Sequence, residues 1–118
     1  MSPQPRTVLI VDDDHQIRGL VEKMLRPQGV RVVTATRPSE AIRIFEAERI
    51  ELMISDVMMP EMDGGKLAER LLKTYPEARV LLISGQGKEP PVCKQPNVRF
   101  LRKPFFPSVL LDTLRELL

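Results

Sequence analysis

The sequence predicts an α/β domain built on a doubly wound parallel sheet with helices on both faces. Three observations carry that reading. Apolar runs of strand length alternate with segments whose apolar residues recur at helical spacing. Several of the runs are apolar at successive positions, as expected of strands covered on both faces. Runs one, three, four and five lead into charged or hydroxyl residues.

The first run, Val8-Leu9-Ile10-Val11, stops at Asp12-Asp13-Asp14. A helix follows, with Ile17, Leu20, Val21, Met24 and Leu25 on one stripe, and Pro27 and Gly29 halt it. Val30 to Ala35 reads as a second strand because it is rich in β-branched residues. Thr36-Arg37-Pro38-Ser39 turns into a second helix with Ala41, Ile42 and Phe45 inward, ending near Glu48. The third strand, Leu52 to Ser55, delivers Asp56 into a loop that turns on Pro60 and Gly64. A third helix is expected after Gly64 and Gly65, carrying Leu67, Leu71, Leu72 and Tyr75 and closed by Pro76. The fourth strand, Arg79 to Ile83, ends at Ser84-Gly85.

Gln86 to Asn97 holds Pro90, Pro91 and Pro96 and no helical stripe. Proline in a helix interior costs about 3 kcal/mol, so a loop or at most one turn is expected here. Val98 to Leu101 is the fifth strand, with Lys103-Pro104 at its end. Pro107-Ser108 opens a last helix with Leu110, Leu111, Leu114, Leu117 and Leu118 inward.

At 118 residues the chain fits one domain, expected over 7–118 behind a flexible tail at 1–6. A net charge of +2 with scattered Lys and Arg gives no case for direct binding of nucleic acid or membrane. The N-terminus lacks the apolar core of a signal peptide. No run approaches the ~20 apolar residues that span a bilayer. The single cysteine, Cys93, excludes an intrachain disulfide and fits a reducing cytoplasm.

In a parallel sheet the C-terminal strand ends share one rim. Here they bring Asp12, Asp13 and Asp14, then Asp56, Ser84 and Lys103. With strand order 2-1-3-4-5, strands one and three are neighbours at the switch point, where ligands bind. Asp12, Asp13 and Asp56 then converge. Clustered carboxylates need a raised pKa or a cation, and oxygen donors favour a hard ion such as Mg²⁺. A carboxylate nucleophile, a metal, a lysine and a hydroxyl suffice to take up a phosphoryl group. Plainer roles exist for some of these residues. Asp14 suits a helix N-cap, Ser84 a loop, Phe100 the core, His15 the surface, and Asp63 its own turn.

Four stretches resemble the receiver domain of two-component response regulators. They are Val8-Leu9-Ile10-Val11-Asp12-Asp13-Asp14; Asp56 with Met58-Met59-Pro60-Glu61-Met62-Asp63-Gly64; Leu82-Ile83-Ser84-Gly85; and Phe100-Leu101-Arg102-Lys103-Pro104-Phe105. The resemblance covers about residues 7 to 118. It implies a flavodoxin-like, five-stranded fold of order 2-1-3-4-5. It also implies a His–Asp phosphorelay in which Asp56 accepts phosphate from a sensor histidine kinase or phosphotransfer domain. Asp13, Asp56 and the backbone carbonyl of Met58 would hold Mg²⁺, or Mn²⁺, with Asp12 acting through water. Ser84 and Lys103 would bind the phosphoryl group, and Ser84 and Phe100 would form the switch. The Lys103-Pro104 bond would be cis, and Met58 and Gln86 would tune dephosphorylation. The implied protein is a cytoplasmic signalling module, monomeric as an isolated domain. It is not a conventional enzyme, though it catalyses its own phosphorylation and dephosphorylation. Its downstream partner protein is unknown.

The chain departs from the family chiefly after the fourth strand. Receivers usually carry a fourth helix between the Ser/Thr strand and the Lys strand; here it is shortened or replaced by the loop at 86–97. Gly85 also stands where Ala is common. The shortened loop before Phe-Leu-Arg-Lys-Pro-Phe resembles hybrid-kinase receivers. Two other functions fit parts of the pattern. A haloacid-dehalogenase-like phosphatase would use Asp12 as nucleophile in Asp12-x-Asp14, but needs a later acidic pair, for which only Asp112 and Glu116 remain. A pseudo-receiver would keep the fold without being phosphorylated.

Overall fold

The computed structural model describes residues 6–12 and 15–118, with the side chain of His15 excepted. Five strands alternate with helices: β1 (Thr7–Val11), α1 (His15–Leu25), β2 (Arg31–Ala35), α2 (Pro38–Ala47), β3 (Leu52–Asp56), α3 (Gly64–Thr74), β4 (Arg79–Ser84), β5 (Val98–Arg102) and α4 (Pro107–Leu117). All strand pairings are parallel, in the order β2-β1-β3-β4-β5. This is the expected doubly wound α/β sheet.

Strand alternation divides the core into two layers. Leu9, Val11, Met53, Val80, Leu82 and Val98 face one side, against Ala41, Phe45, Leu67 and Leu71 of α2 and α3. Val8, Ile10, Leu52, Ile54, Leu81 and Ile83 face the other, against Val21, Leu25, Leu110 and Leu114 of α1 and α4. The central strands are apolar at successive positions because both faces are covered.

α1 ends in a 3-10 turn, Arg26–Gln28, and Gly29 closes it at φ 74°. α3 begins at Gly64, taking in the glycine pair expected to precede it, because Asp63 caps it. The Asp63 carboxylate accepts from the Lys66 backbone N–H at 2.9 Å. Tyr75 lies just past the end of α3, with its ring centroid 5.3 Å from that of Phe45.

The proline-rich segment between β4 and β5 holds one 3-10 turn, Pro91–Lys94, whose Val92 is buried. Pro90 sits against Gly65, where a β-carbon would meet the Pro90 Cβ at 2.8 Å. So short an element covers its side of β5 incompletely: Phe100 is half-buried and Arg102 is exposed.

Of the expected tail, residues 1–5 lie outside the described residues, whereas the Arg6 carbonyl accepts from the Arg31 N–H at 2.8 Å. Among the described residues, no helix is long and apolar enough to cross a membrane.

Candidate functional site

The register of the sheet fixes which rim residues meet. Val11 pairs with Ser55 across β1 and β3, so Asp12 and Asp56 follow at adjacent strand ends. Asp56 in turn pairs with Ile83 of β4. Alternation sets which side each faces. Within β3, Asp56 continues the Leu52-Ile54 side, which faces the α1/α4 layer, while Asp12 and Lys103 lie one residue past the ends of β1 and β5. Ser84 continues the Val80-Leu82 side and so belongs to the α2/α3 layer, with Phe100.

The Asp56 carboxylate is held from two directions. Its Oδ1 accepts from the Met58 backbone N–H at 3.1 Å, and its Oδ2 lies 3.6 Å from the Lys103 ammonium. The side chains of Asp56 and Lys103 are 15% and 28% exposed, so the pair is shielded but open to solvent. The Lys103-Pro104 peptide bond is cis, and the Lys103 N–H donates to the Ser84 carbonyl at 2.9 Å. Asp12 is 2% exposed, and its N–H donates to the Ala35 carbonyl at 3.1 Å.

The loop after Asp56 is tied down along its length. Val57 N–H donates to the Ile83 carbonyl at 2.9 Å, and Gly64 N–H to the Val57 carbonyl at 2.8 Å. Glu61, at φ 67°, accepts from the Ser39 N–H at 3.3 Å and so fastens the loop to the start of α2. Glu61 is a positioning contact that the sequence did not single out. Its signal would have been an acidic residue reaching the first turn of a helix.

Ser84 stands on the rim, with its hydroxyl engaged by its own turn. Its hydroxyl donates to the Gln86 carbonyl at 2.6 Å and accepts from the Gln86 N–H at 3.2 Å. Met58 is 63% exposed, and Gln86 is exposed nearby in sequence to Ser84. Asp13 and Asp14 lie outside the described residues. The two described carboxylates, Asp12 and Asp56, are oxygen donors at neighbouring strand ends, a set that suits a hard divalent ion such as Mg²⁺. Among the described residues no group of three metal-ligating side chains occurs.

The acidic pair that a phosphatase would need is elsewhere. Asp112 and Glu116 are both exposed on α4, and Glu116 lies 3.9 Å from Arg99. A cleft of about 630 Å³, floored by Phe45, Ile50, Tyr75 and Ala78, opens where β3 and β4 begin, at the rim opposite Asp56.

The sequence matches the family described as response regulator receiver domain over residues 8–115. It is 33% identical to the transcriptional regulatory protein GlrR of Escherichia coli, across 100% of this chain and 27% of that protein. It is 34% identical to the sensor kinase CckA of Brucella abortus, across 95% of this chain and 12% of that one. The chain thus spans about a quarter of GlrR and an eighth of CckA. Among solved structures, the chemotaxis response regulator CheY4 of Vibrio cholerae superposes with a TM-score of 0.79 at 34% identity, covering 97% of this chain and 99% of that one. The response regulator TrrA of Thermotoga maritima, solved in complex with Mg(2+)-BeF, superposes with a TM-score of 0.83 at 25% identity, covering 96% and 99%.

Proposed function

The chain belongs to the response regulator receiver domain family, and from that premise we propose that Asp56 is its phosphoacceptor. The family's work is phosphoacceptance in two-component signalling, so neither the phosphatase nor the pseudo-receiver reading is favoured. What carries the assignment to Asp56 is one relationship: the Lys103 ammonium lies 3.6 Å from Asp56 Oδ2, with Asp12 at the neighbouring strand end.

In the proposed reaction, a carboxylate oxygen of Asp56 attacks phosphorus. A P–O bond forms while the bond from phosphorus to the donor histidine nitrogen breaks. Lys103 is poised to exchange its contact with Asp56 for one with a phosphoryl oxygen. The Met58 N–H holds one Asp56 oxygen so that the other stays available. Asp12, Asp13, Asp56 and the Met58 carbonyl are the groups that would hold Mg²⁺. The ion, when bound, offsets the negative charge gathered on the acceptor and the incoming group. Hydrolysis returns Asp56 to its free state, with Met58 and Gln86 setting the access of water.

The donor is a histidine kinase or phosphotransfer domain, and the setting is cytoplasmic, as for receivers generally. The downstream protein reads the state of Ser84 and Phe100. Incubation with Mg²⁺ and acetyl phosphate, followed by mass spectrometric mapping, tests the proposal. A base-labile acyl phosphate on Asp56, lost in Asp56→Asn, is the expected result. Phosphate on Asp12, or no adduct and no beryllofluoride binding, would overturn it.

A further inference from the structure

We infer that Arg102 is a positioning residue, one that holds the turn after Ser84 in a resting arrangement and so limits how readily Ser84 can swing toward an occupied Asp56. The inference rests on the reading of Asp56 and Ser84 given above.

Arg102 ends β5 and pairs in register with Ser84, which ends β4. Its guanidinium carbon lies 5.6 Å from the centroid of the Phe100 ring, two residues earlier on the same strand. That is within cation–π range. One of its terminal nitrogens donates to the Gly87 carbonyl at 2.6 Å. Gly87 has φ 79°, a conformation that glycine adopts without the penalty of a side chain. One flat cation therefore touches both the ring assigned to the switch and the far end of the turn that follows Ser84.

The near end of that turn is closed by Ser84 itself. A hydroxyl has a single proton, and Ser84 commits it to the Gln86 carbonyl. Donating to a phosphoryl oxygen requires that bond to break and residues 85–87 to re-form. Arg102 opposes the change through its single bond to Gly87, made from a planar guanidinium that lies over the Phe100 ring, a pairing that lysine does not reproduce. Gly85 does not resist it, because a β-carbon there would meet nothing nearer than the Lys103 Cβ at 3.8 Å. The resistance is therefore shared between the Ser84–Gln86 bonds and one exposed side chain, Arg102, which can be removed without touching the two core layers.

The test compares wild type, Arg102→Ala and Arg102→Lys by two measurements. Amide exchange at Gln86, whose N–H is bonded to the Ser84 hydroxyl, should quicken about fivefold in the unliganded protein in Arg102→Ala, with Arg102→Lys intermediate. Affinity for beryllofluoride with Mg²⁺ should rise by about the same factor, because less is spent on leaving the resting state. Unchanged exchange in both variants overturns the inference whatever Asp56 does. Faster exchange with unchanged or weaker beryllofluoride affinity overturns the link to Asp56. Failure of the wild type to bind beryllofluoride would instead strike the reading of Asp56, and the exchange measurement would still decide whether Arg102 holds the turn.

Discussion

Gly64 is seated directly against the backbone of Asp56: a β-carbon on Gly64 would overlap the Asp56 carbonyl oxygen, with the Ser55 Oγ only 3.1 Å away. The same carbonyl accepts the Ser55 hydroxyl at 2.9 Å. The first turn of α3 and the residue carrying the central carboxylate thus share one close contact. Gly64→Ala forces backbone away from backbone, and no rotamer change relieves it. The expected cost is about 1–3 kcal/mol, read as a lower urea midpoint, together with weaker beryllofluoride binding. An unchanged midpoint would mean that the loop gives way freely.

Lys103→Met separates charge from packing. The ammonium faces Asp56 across 3.6 Å at a partly exposed rim. Its removal should alter stability by no more than about 1 kcal/mol. Phosphorylation of Asp56 by acetyl phosphate should slow by about 10-fold or more, since a cation aimed at the incoming charge is lost. A large fall in stability with an unchanged phosphorylation rate would make Lys103 a structural residue.

Val92→Ala tests whether the short turn between β4 and β5 is anchored. Val92 is 3% exposed, and Cys93 N–H and Gln95 N–H close the turn on the carbonyls of Pro90 and Val92, each at 3.0 Å. Truncation should cost about 1–2 kcal/mol in denaturant unfolding and speed amide exchange at Cys93 and Gln95. A cost near zero would show the turn to be a loose strap.

Cys93 supplies a pH test. Burial first, and then the neighbouring Glu89 carboxylate, push its thiol from 9.0 up to about 11. The folded chain therefore holds this proton more tightly than the unfolded chain. The site's contribution to stability is fully present below pH 9.0 and is lost as the pH climbs toward and through about 11. Alkylation by iodoacetamide should be slow at neutral pH and accelerate only at strongly alkaline pH. Glu89→Gln should move that acceleration to lower pH. Rapid alkylation of the native protein at neutral pH would contradict the buried setting.

The strands and their polar ends were legible in the sequence because a two-sided parallel sheet writes them as unbroken apolar runs. Asp12, Asp56 and Lys103 could be placed on one rim because the sheet is parallel, and Asp12 beside Asp56 once the strand order 2-1-3-4-5 was assumed. Ser84 shows where the method stops. Its position on the rim was readable, but the direction of its hydroxyl depends on a turn that Gly85 and Gly87 leave free to choose. Glu61 escaped notice for a related reason, because its partner, Ser39, is remote in sequence and belongs to the first turn of another element, α2. The break at Pro90 and Pro91 was readable from helix energetics. That Pro90 rests on Gly65 was not, because the fit depends on the absence of a β-carbon in a different element.

The sheet also acts as a partition between two tasks. Alternation puts Asp56 on the α1/α4 side of β3, while Ser84 continues the α2/α3 side of β4, the side that holds Phe100 and Val92. Substitutions that remodel the second side, to suit a new listener, need not disturb the charges on the first. The two sides are tied directly where the Lys103 N–H donates to the Ser84 carbonyl, at the paired ends of β4 and β5. Such an arrangement lets a lineage, or an engineer, rewrite the message while leaving the receiver's trigger untouched.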